Sequence, residues 1–388
     1  MTTIMFAHDN KFFEFDGSYY SSGGFNSTVW DRYLGVFDKL TVVSRQEKVL
    51  NLQKKMDLSD HKDTEFICVP ELNTLSYVKN IRKAKNIIRE QVKRSDYIIA
   101  RLPSTIGTLA VDIAISEHKP YLIEVVGCVW DSYWNHSFKG KALAPSSFLK
   151  MRKQVKEANY VIYVTSSFLQ YRYPTRGKNT NVSNVLLDNQ DDNILDTRIK
   201  KINSMQNDSR ITIGTTAAID VRYKGQEYII RALANLKEKG ITNFDYELVG
   251  AGEGLYLKKL AKKLNVENEV KFVGTLPHKD VFEWLKNIDI YAQPSKQEGL
   301  PRALIEAMSM GIPAFGAKTA GIPELINSKY IFKHELKSTD KISKILMSYN
   351  KNAMLDQAIE NFKESEKYNV KILGKRRYEF LTDFKNNY

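Results

Sequence analysis

The stretch 294-PSKQEGLPRALIEAMSMGIP-313 sets two glutamates, Glu298 and Glu306, with seven residues between them. Glu298 falls in a polar turn. Glu306 falls inside an apolar helical run whose buried stripe is Ala303, Leu304, Ala307 and Met308. Pro301 suits the first helical position, where its fixed φ helps and its missing N–H is not needed. Gly311 suits the residue after the last turn. A charge on such a helix needs a partner. One plain reading pairs Arg302 with Glu306 at i,i+4, but with Arg first that pair is the weaker order and gives only ~0.3–0.5 kcal/mol. Another leaves Glu306 solvated. The sharper reading makes both carboxylates acceptors for hydroxyls of a sugar-containing ligand, because an ionised carboxylate only accepts hydrogen bonds. The N–H groups of Gly299 and Leu300, at the helix start, would then point at a phosphate.

Two further stretches suit an anion. In 210-RITIGTTAAIDVRYKGQEYIIRAL-233, Arg222 and Lys224 stand just before a helix that starts near Gly225. Cations at a helix N-terminus oppose its dipole, and an anion between them would reverse that penalty. The competing reading is a solvated loop charge. In 245-DYELVGAGEGLYLKKLAKKL-264 a strand runs into Gly250, Gly252 and Gly254 before a helix. Such glycines let backbone N–H groups approach a phosphate, although their spacing is too close for G-x-G-x-x-G. A tight turn that merely requires glycine explains them equally well.

These residues need a scaffold, and the hydrophobic pattern supplies one. Short Val/Ile-rich runs at 4–8, 40–44, 65–69, 96–100, 121–126 and 160–165 alternate with helical stretches such as 75–94, 104–117 and 147–158. Buried parallel strands with crossover helices read this way. Residues 188–208 are rich in Asn and Asp, and then the pattern restarts at 210–215, 244–250, 269–274, 289–294 and 312–317. The expected fold class is α/β, with two Rossmann-like domains facing across a cleft. The expected division is 1–188, a linker at 189–208, a second domain at 209–369, and a final helix at 370–388. At 388 residues each domain is long enough for its own core. No apolar run reaches the ~20 residues of a membrane span, and no signal peptide is evident at the start. Cys68 and Cys128 lack metal-ligand spacing, which favours a reducing, cytoplasmic setting.

The net charge is +13, an attraction for something anionic. The densest stretch, 79-KNIRKAKNIIREQVKR-94, carries seven basic residues and one acid. Val78, Ile81, Ala84, Ile88 and Val92 lie at helical spacing in it, so it reads as an amphipathic helix with a basic face. That face is either simply solvated or an attachment to an anionic membrane surface. The aromatic-rich segment 12-FFEFDGSYYSSGGF-25 is expected to be a loop on the acceptor side or to pack.

The run E-G-L-P-R-A-L-I-E-A-M-S-M-G-I-P resembles the E-x7-E signature of retaining glycosyltransferases of the GT-B fold, most like glycosyltransferase family 4. IGTT…KG at 213–225, LVGAGEG at 248–254, VKFVGTLPHKDV at 270–281 and GIPELI at 321–326 follow the same pattern. Over the first half the resemblance is weaker, resting on 23-GGFNSTVWDRY-33. The resemblance implies that Glu298 binds hydroxyls of the transferred sugar and Glu306 those of the ribose. Lys224, with Arg222, would neutralise a diphosphate. Backbone groups of Gly299, Leu300, Gly23, Gly24 and Gly252 would touch phosphate or sugar, and Thr275 and Leu276 would lie near the base. The final helix would cross back onto the first domain. No metal or other cofactor is expected. On the acceptor side Glu124, Asp131 and His136 are candidates, with His136 the nearest histidine after the strand 121–126. The implied activity moves a sugar from a nucleotide-diphospho-sugar, uridine favoured over guanosine, to a saccharide or lipid-linked acceptor in bacterial surface polysaccharide or glycolipid synthesis. No nucleic-acid partner is expected. The alternatives are a sugar-nucleotide 2-epimerase of the same fold, or a non-catalytic binder of anionic polymer.

Overall fold

The computed structural model describes residues 1–388 apart from 53–55, 73–76, 136–137, 186, 188–190, 207 and 336. It divides into two units. The first comprises Met1–Trp130, Lys141–Val182 and Gly374–Tyr388; the second comprises Asp131–Gly140 and Ser183–Leu373. The division is more interleaved than the single linker expected at 189–208: residues 131–140 group with the second unit, and the end of the final helix with the first.

In the first unit the Val/Ile-rich runs become strands β1 (Thr3–Phe15), β2 (Lys39–Lys48), β3 (Thr64–Cys68), β4 (Tyr97–Leu102), β5 (Tyr121–Val125), β6 (Tyr160–Tyr163) and β7 (Lys178–Asn181). They pair in parallel in the order β3-β2-β1-β4-β5-β6-β7. Between them run α1 (Tyr77–Arg94), α2 (Thr105–Ser116) and α3 (Phe138–Glu157). Met5, Val43 and Ile98 from the sheet pack with Ala84, Ile88 and Val92 of α1 and Ile106, Ala110 and Ile113 of α2. The start of α2 is filled from within: Ser104 accepts from Gly107 N at 2.9 Å, and the Asp9 carboxylate accepts from Thr105 N and Ile106 N at 2.6 and 2.9 Å. Two local expectations change. β1 runs on to Phe15 and turns back through Asp16 and Gly17, both at positive φ, into an antiparallel strand at Ser18–Ser21. Phe12 and Phe25 are buried, so much of the aromatic-rich segment packs as a hairpin instead of forming a loop. The helix expected at 147–158 begins at Phe138 and carries Pro145 inside it.

The second unit repeats the plan. Strands β8 (Ile211–Thr216), β9 (Phe244–Val249), β10 (Val270–Gly274), β11 (Ile290–Gln293), β12 (Ala314–Ala317) and β13 (Ile331–Phe332) form one parallel sheet, ordered β10-β9-β8-β11-β12-β13. The strand order reverses between β8 and β11. At such a switch point the two flanking loops diverge to opposite faces and leave a crevice at the carboxyl ends of the strands.

The stretch expected as a linker holds a helix, α4 (Asp192–Ser204), capped by the Asp191 side chain; residues 188–190 and 207 lie outside the described residues. Four helices complete the site's frame: α5 (Gln226–Glu238), α6 (Leu255–Lys263), α7 (His278–Asn287) and α8 (Arg302–Ser309). Arg198 fixes α4 to two of them. Its guanidinium donates to Leu285 O and Ile288 O at the end of α7, at 3.0 and 2.6 Å, and to Met310 O at the end of α8, at 3.2 Å. It thereby satisfies carbonyls that a helix end leaves open. The final helix, α9 (Val370–Asn386), places Arg377, Asp383 and Phe384 in the first unit's core and surface, where Asp383 accepts from Tyr160 Oη at 3.0 Å. Among the described residues no helix is long and apolar enough to cross a membrane.

Arg198→Ala removes the guanidinium from three carbonyls at the α7 and α8 ends, of which Ile288 O keeps only the longer bond from Lys201 Nζ at 3.5 Å. It is expected to lower the second unit's unfolding free energy by about 2–4 kcal/mol, read as a fall in the urea midpoint of that unit's transition.

Candidate functional site

The chain leaves β8 and, after one short turn at Arg222–Lys224, reaches Gly225 at φ 76°. A Cβ there would stand 2.0 Å from Pro294 O. Glycine alone lets the loop after β8 close onto the loop after β11. Lys296 N donates to Tyr223 O at 2.7 Å and ties the two loops a second time. The closure sets Lys224 Nζ 2.7 Å from Glu298 Oε1, with the two side chains 22% and 13% exposed. Glu298 Oε1 also accepts from Gln293 Nε2 at 3.2 Å, and that nitrogen donates to Ser295 Oγ at 2.9 Å. Gln293 is 2% exposed, and its Oε1 is buried without a partner among the described residues. Behind the turn, His334 Nε2 lies 3.3 Å from Ser295 O, and burial pushes its pKa down to about 4, so it sits there neutral.

Glu306 lies on α8, with 13% of its side chain exposed. Its side-chain partner is His278 Nε2 at 3.2 Å, not Arg302. The i,i+4 pair was the weaker order, and the start of α7 offers a better-placed ring nitrogen. The hydrogen bond to Glu306 raises the His278 pKa above its ordinary 6.5, against the opposing effects of burial and of Arg302. Tyr291, on β11, connects the two glutamates. Burial raises the pKa of its hydroxyl, and the charges of Glu306 and Glu298 both add to the rise. Both carboxylates therefore lie within electrostatic reach of one side chain. Pro301, expected at the first helical position, is instead the N-cap, one residue before α8 begins and with no side-chain capping bond, and Gly311 takes the expected positive φ of 62°. Gly299 is half-buried and accepts from Gly321 N at 2.9 Å; Leu300 is buried beside it.

Other expected residues fall elsewhere in the second unit. Arg222 has a different neighbour from Lys224: its guanidinium lies 3.9 Å from the Tyr256 ring centre. The glycine-rich turn after β9 closes around Asp220. That carboxylate accepts from Glu253 N and Gly254 N at 2.9 and 2.8 Å, and a Cβ on Gly252 would meet Asp220 Oδ2 at 2.7 Å. Two N–H groups that such a turn could offer an anion are thus already taken. Thr275 and Leu276 follow β10 and lead into the His278 end of α7, Thr275 exposed and Leu276 half-buried. Residues 131–135 run beside the Glu298 turn: Asn135 Nδ2 donates to Lys296 O at 3.2 Å, and Gln297 Nε2 to Ser132 Oγ at 3.1 Å. Asp131 belongs to this segment, while His136 lies outside the described residues.

In the first unit Gly23 and Gly24 are exposed at φ 151° and 81°, and a Cβ on Gly23 would meet nothing within 4 Å. Glu124 is 2% exposed and enclosed by cations. Arg377 lies at 2.7 Å and Arg101 at 3.8 Å, and Tyr33 Oη donates at 3.0 Å. Burial pushes its pKa up, but Arg377, Arg101 and Arg32 outweigh that and leave it lowered. Glu124 is a structural counter-ion for the final helix and is not presented to a substrate. Sequence reasoning missed Gln293, Asp220 and His278. The signals were a polar residue ending the apolar strand IYAQ, a lone acid before the Arg–Lys turn, and a histidine opening a helix in LPHKDV.

Comparison with known proteins places these features in a family. Residues 199–364 match the family model described as glycosyl transferases group 1. Protein CapJ of Staphylococcus aureus is 32% identical over 390 residues, spanning 98% of this chain and 95% of CapJ. Among solved structures, Anabaena HepE in complex with UDP shares the fold with a TM-score of 0.65, at 17% identity over 99% of this chain and 100% of that one. WaaG, described as a glycosyltransferase involved in lipopolysaccharide biosynthesis, does so with a TM-score of 0.61, at 16% identity over 98% and 99% of the two chains.

Because Glu306 accepts from the His278 ring, His278 holds its proton to higher pH than a free imidazole. In an NMR titration its midpoint is expected above 6.5, and Glu306→Gln is expected to bring it back down. An unchanged midpoint in Glu306→Gln would contradict the pairing.

Proposed function

The chain belongs to the glycosyl transferases group 1 family and is a transferase, and we propose that it moves a sugar with retention from a nucleotide-diphospho-sugar, as a family 4 enzyme of the E-x7-E type. The observation that carries this is the half-buried Lys224–Glu298 pair at the switch point between β8 and β11, with Glu306 nearby. An ammonium has three donors. Lys224 can keep one on Glu298 and turn the others to the diphosphate, so a bound donor joins the pair without breaking it. Glu298 then accepts from hydroxyls of the transferred sugar, Glu306 from those of the ribose, and the Gly299–Leu300 turn faces the phosphates. Arg222 contributes positive potential from its place over Tyr256.

In the proposed step the bond from the anomeric carbon to the diphosphate oxygen breaks, and the acceptor hydroxyl oxygen bonds to that carbon on the same face. The hydroxyl proton passes to the departing diphosphate. The protein contributes positioning and a fixed positive charge where negative charge develops. No metal enters the proposal. Its donor is a uridine nucleotide, supported by the likeness to a fold relative bound to UDP. Its acceptor is a saccharide or lipid-linked saccharide of a bacterial surface polymer, supported by the likeness to a protein described for lipopolysaccharide biosynthesis. Its setting is the cytoplasmic side of a membrane, met through the basic segment 79–94. Residues 131–135, beside the Glu298 turn, are assigned to the acceptor side.

A thermal-shift panel of UDP-, GDP- and ADP-sugars tests the donor directly, since a ligand at about 100 times its Kd stabilises by about 2.7 kcal/mol. UDP-sugars are expected to raise the melting temperature and the others to do so less. In transfer assays Lys224→Met is expected to lower kcat by about 10²–10³. Glu306→Gln is expected to raise the donor KM by about tenfold with kcat kept. Consumption of the sugar nucleotide without any acceptor, or no stabilisation by any of the three donors, would overturn the proposal.

A further inference from the structure

Strand β11 ends on a residue that its surroundings do not ask for. Ile290, Tyr291 and Ala292 are fully buried, and a strand covered on both faces is filled most readily by apolar side chains. Gln293 follows them at 2% exposure. Its amide is only half used. Nε2 donates to Ser295 Oγ at 2.9 Å and to Glu298 Oε1 at 3.2 Å, whereas Oε1 is buried with no partner among the described residues. A buried acceptor left open costs its desolvation, and a leucine of similar volume would avoid that cost. Turning the amide over is no remedy, because Oε1 would then face the Glu298 carboxylate. Gln293 thus breaks a local rule of the strand with no compensating bond, as residues kept for a functional site do.

What Gln293 acts on is one oxygen of Glu298. Oε1 receives Lys224 Nζ at 2.7 Å and Gln293 Nε2 at 3.2 Å, and Oε2 receives no bond among the described residues. Lys224 is a point charge on a flexible stem, and by itself it would let the carboxylate turn. A second donor on the same oxygen, fixed at the end of a buried strand, stops that rotation. The amide is anchored in its turn. Ser295 is 1% exposed, and His334 Nε2 donates to its carbonyl at 3.3 Å.

We propose that Gln293 is a positioning residue for sugar transfer: it pins Glu298 Oε1 from the buried side, so that Oε2 alone meets a hydroxyl of the transferred sugar. The inference rests on the donor-site reading given above and adds to it a residue that touches neither nucleotide nor sugar. Its influence is confined to the sugar half of the donor. In that reading the diphosphate meets Lys224 and the ribose meets Glu306, and neither side chain bonds to Gln293 among the described residues.

Steady-state transfer by the full chain from the UDP-sugar it accepts, measured beside equilibrium binding of UDP alone, tests this. Gln293→Leu is expected to lower kcat/KM by about 10–100-fold, with the Kd for UDP unchanged within about twofold and the melting temperature not lowered. A role in stability alone predicts the reverse, a lower melting temperature with normal transfer by the folded variant. Gln293→Glu separates the two further. Burial and the charge of Glu298 push the pKa of the introduced carboxyl up. While protonated, that carboxyl donates to Glu298 Oε1 as the amide does; once ionised, it repels Glu298. Its kcat/KM relative to the wild-type chain is expected to fall by about tenfold or more as pH rises from about 5 to about 8, whereas the ratio for Gln293→Leu stays flat. Full transfer by Gln293→Leu, an equal loss of UDP binding, or a flat ratio for Gln293→Glu would overturn the inference and leave the donor-site reading standing. No transfer by the wild-type chain from any UDP-sugar would overturn both.

Discussion

The ion pair between Lys224 and Glu298 organises the second unit. It exists only because two loops from adjacent strands touch, and they touch only because residue 225 has no side chain against Pro294 O. The strand order reverses between those two strands, so the pair sits where the sheet opens. Gln293 then holds the carboxylate from the buried side, while the opposite side of the pair stays partly exposed. A half-open ion pair with spare donors is suited to exchange partners with a ligand, whereas a fully enclosed one is not.

Glu124 shows the contrast. It is a carboxylate near the end of a parallel strand, in the other unit. Arg377 and Arg101 hold it as an anion at 2% exposure. Removing one arginine there would leave a buried charge poorly compensated, a cost of order 3–5 kcal/mol. Its energetic role is to attach the end of the final helix. The same residue type therefore does two different jobs, and burial together with the number of cations decides which.

Much of this is visible in the chain itself. Continuous Val/Ile runs gave the strands, because strands covered on both faces need apolar side chains on both. The glutamate inside an apolar helix gave Glu306 as a residue needing a partner, and the cations before Gly225 gave Lys224. What the chain did not disclose depends on contacts distant in sequence. Glu306 finds His278 across 28 positions, and Asp220 fills the glycine turn from 33 or 34 positions away. The Asn- and Asp-rich stretch looked like a linker because its helix buries few residues of its own. Arg198 is what fastens it. Local composition cannot report a cation that satisfies the ends of two other helices.

If the Lys224–Glu298 pair is the element on which sugar transfer turns, the two residues must act as one. A double-mutant cycle on kcat/KM with Lys224→Met, Glu298→Gln and the double variant measures this directly. Strong non-additivity is predicted, with a coupling of about 1–3 kcal/mol and a double variant little worse than the poorer single one. Losses that add, or a Glu298→Gln enzyme with full activity, would contradict the account.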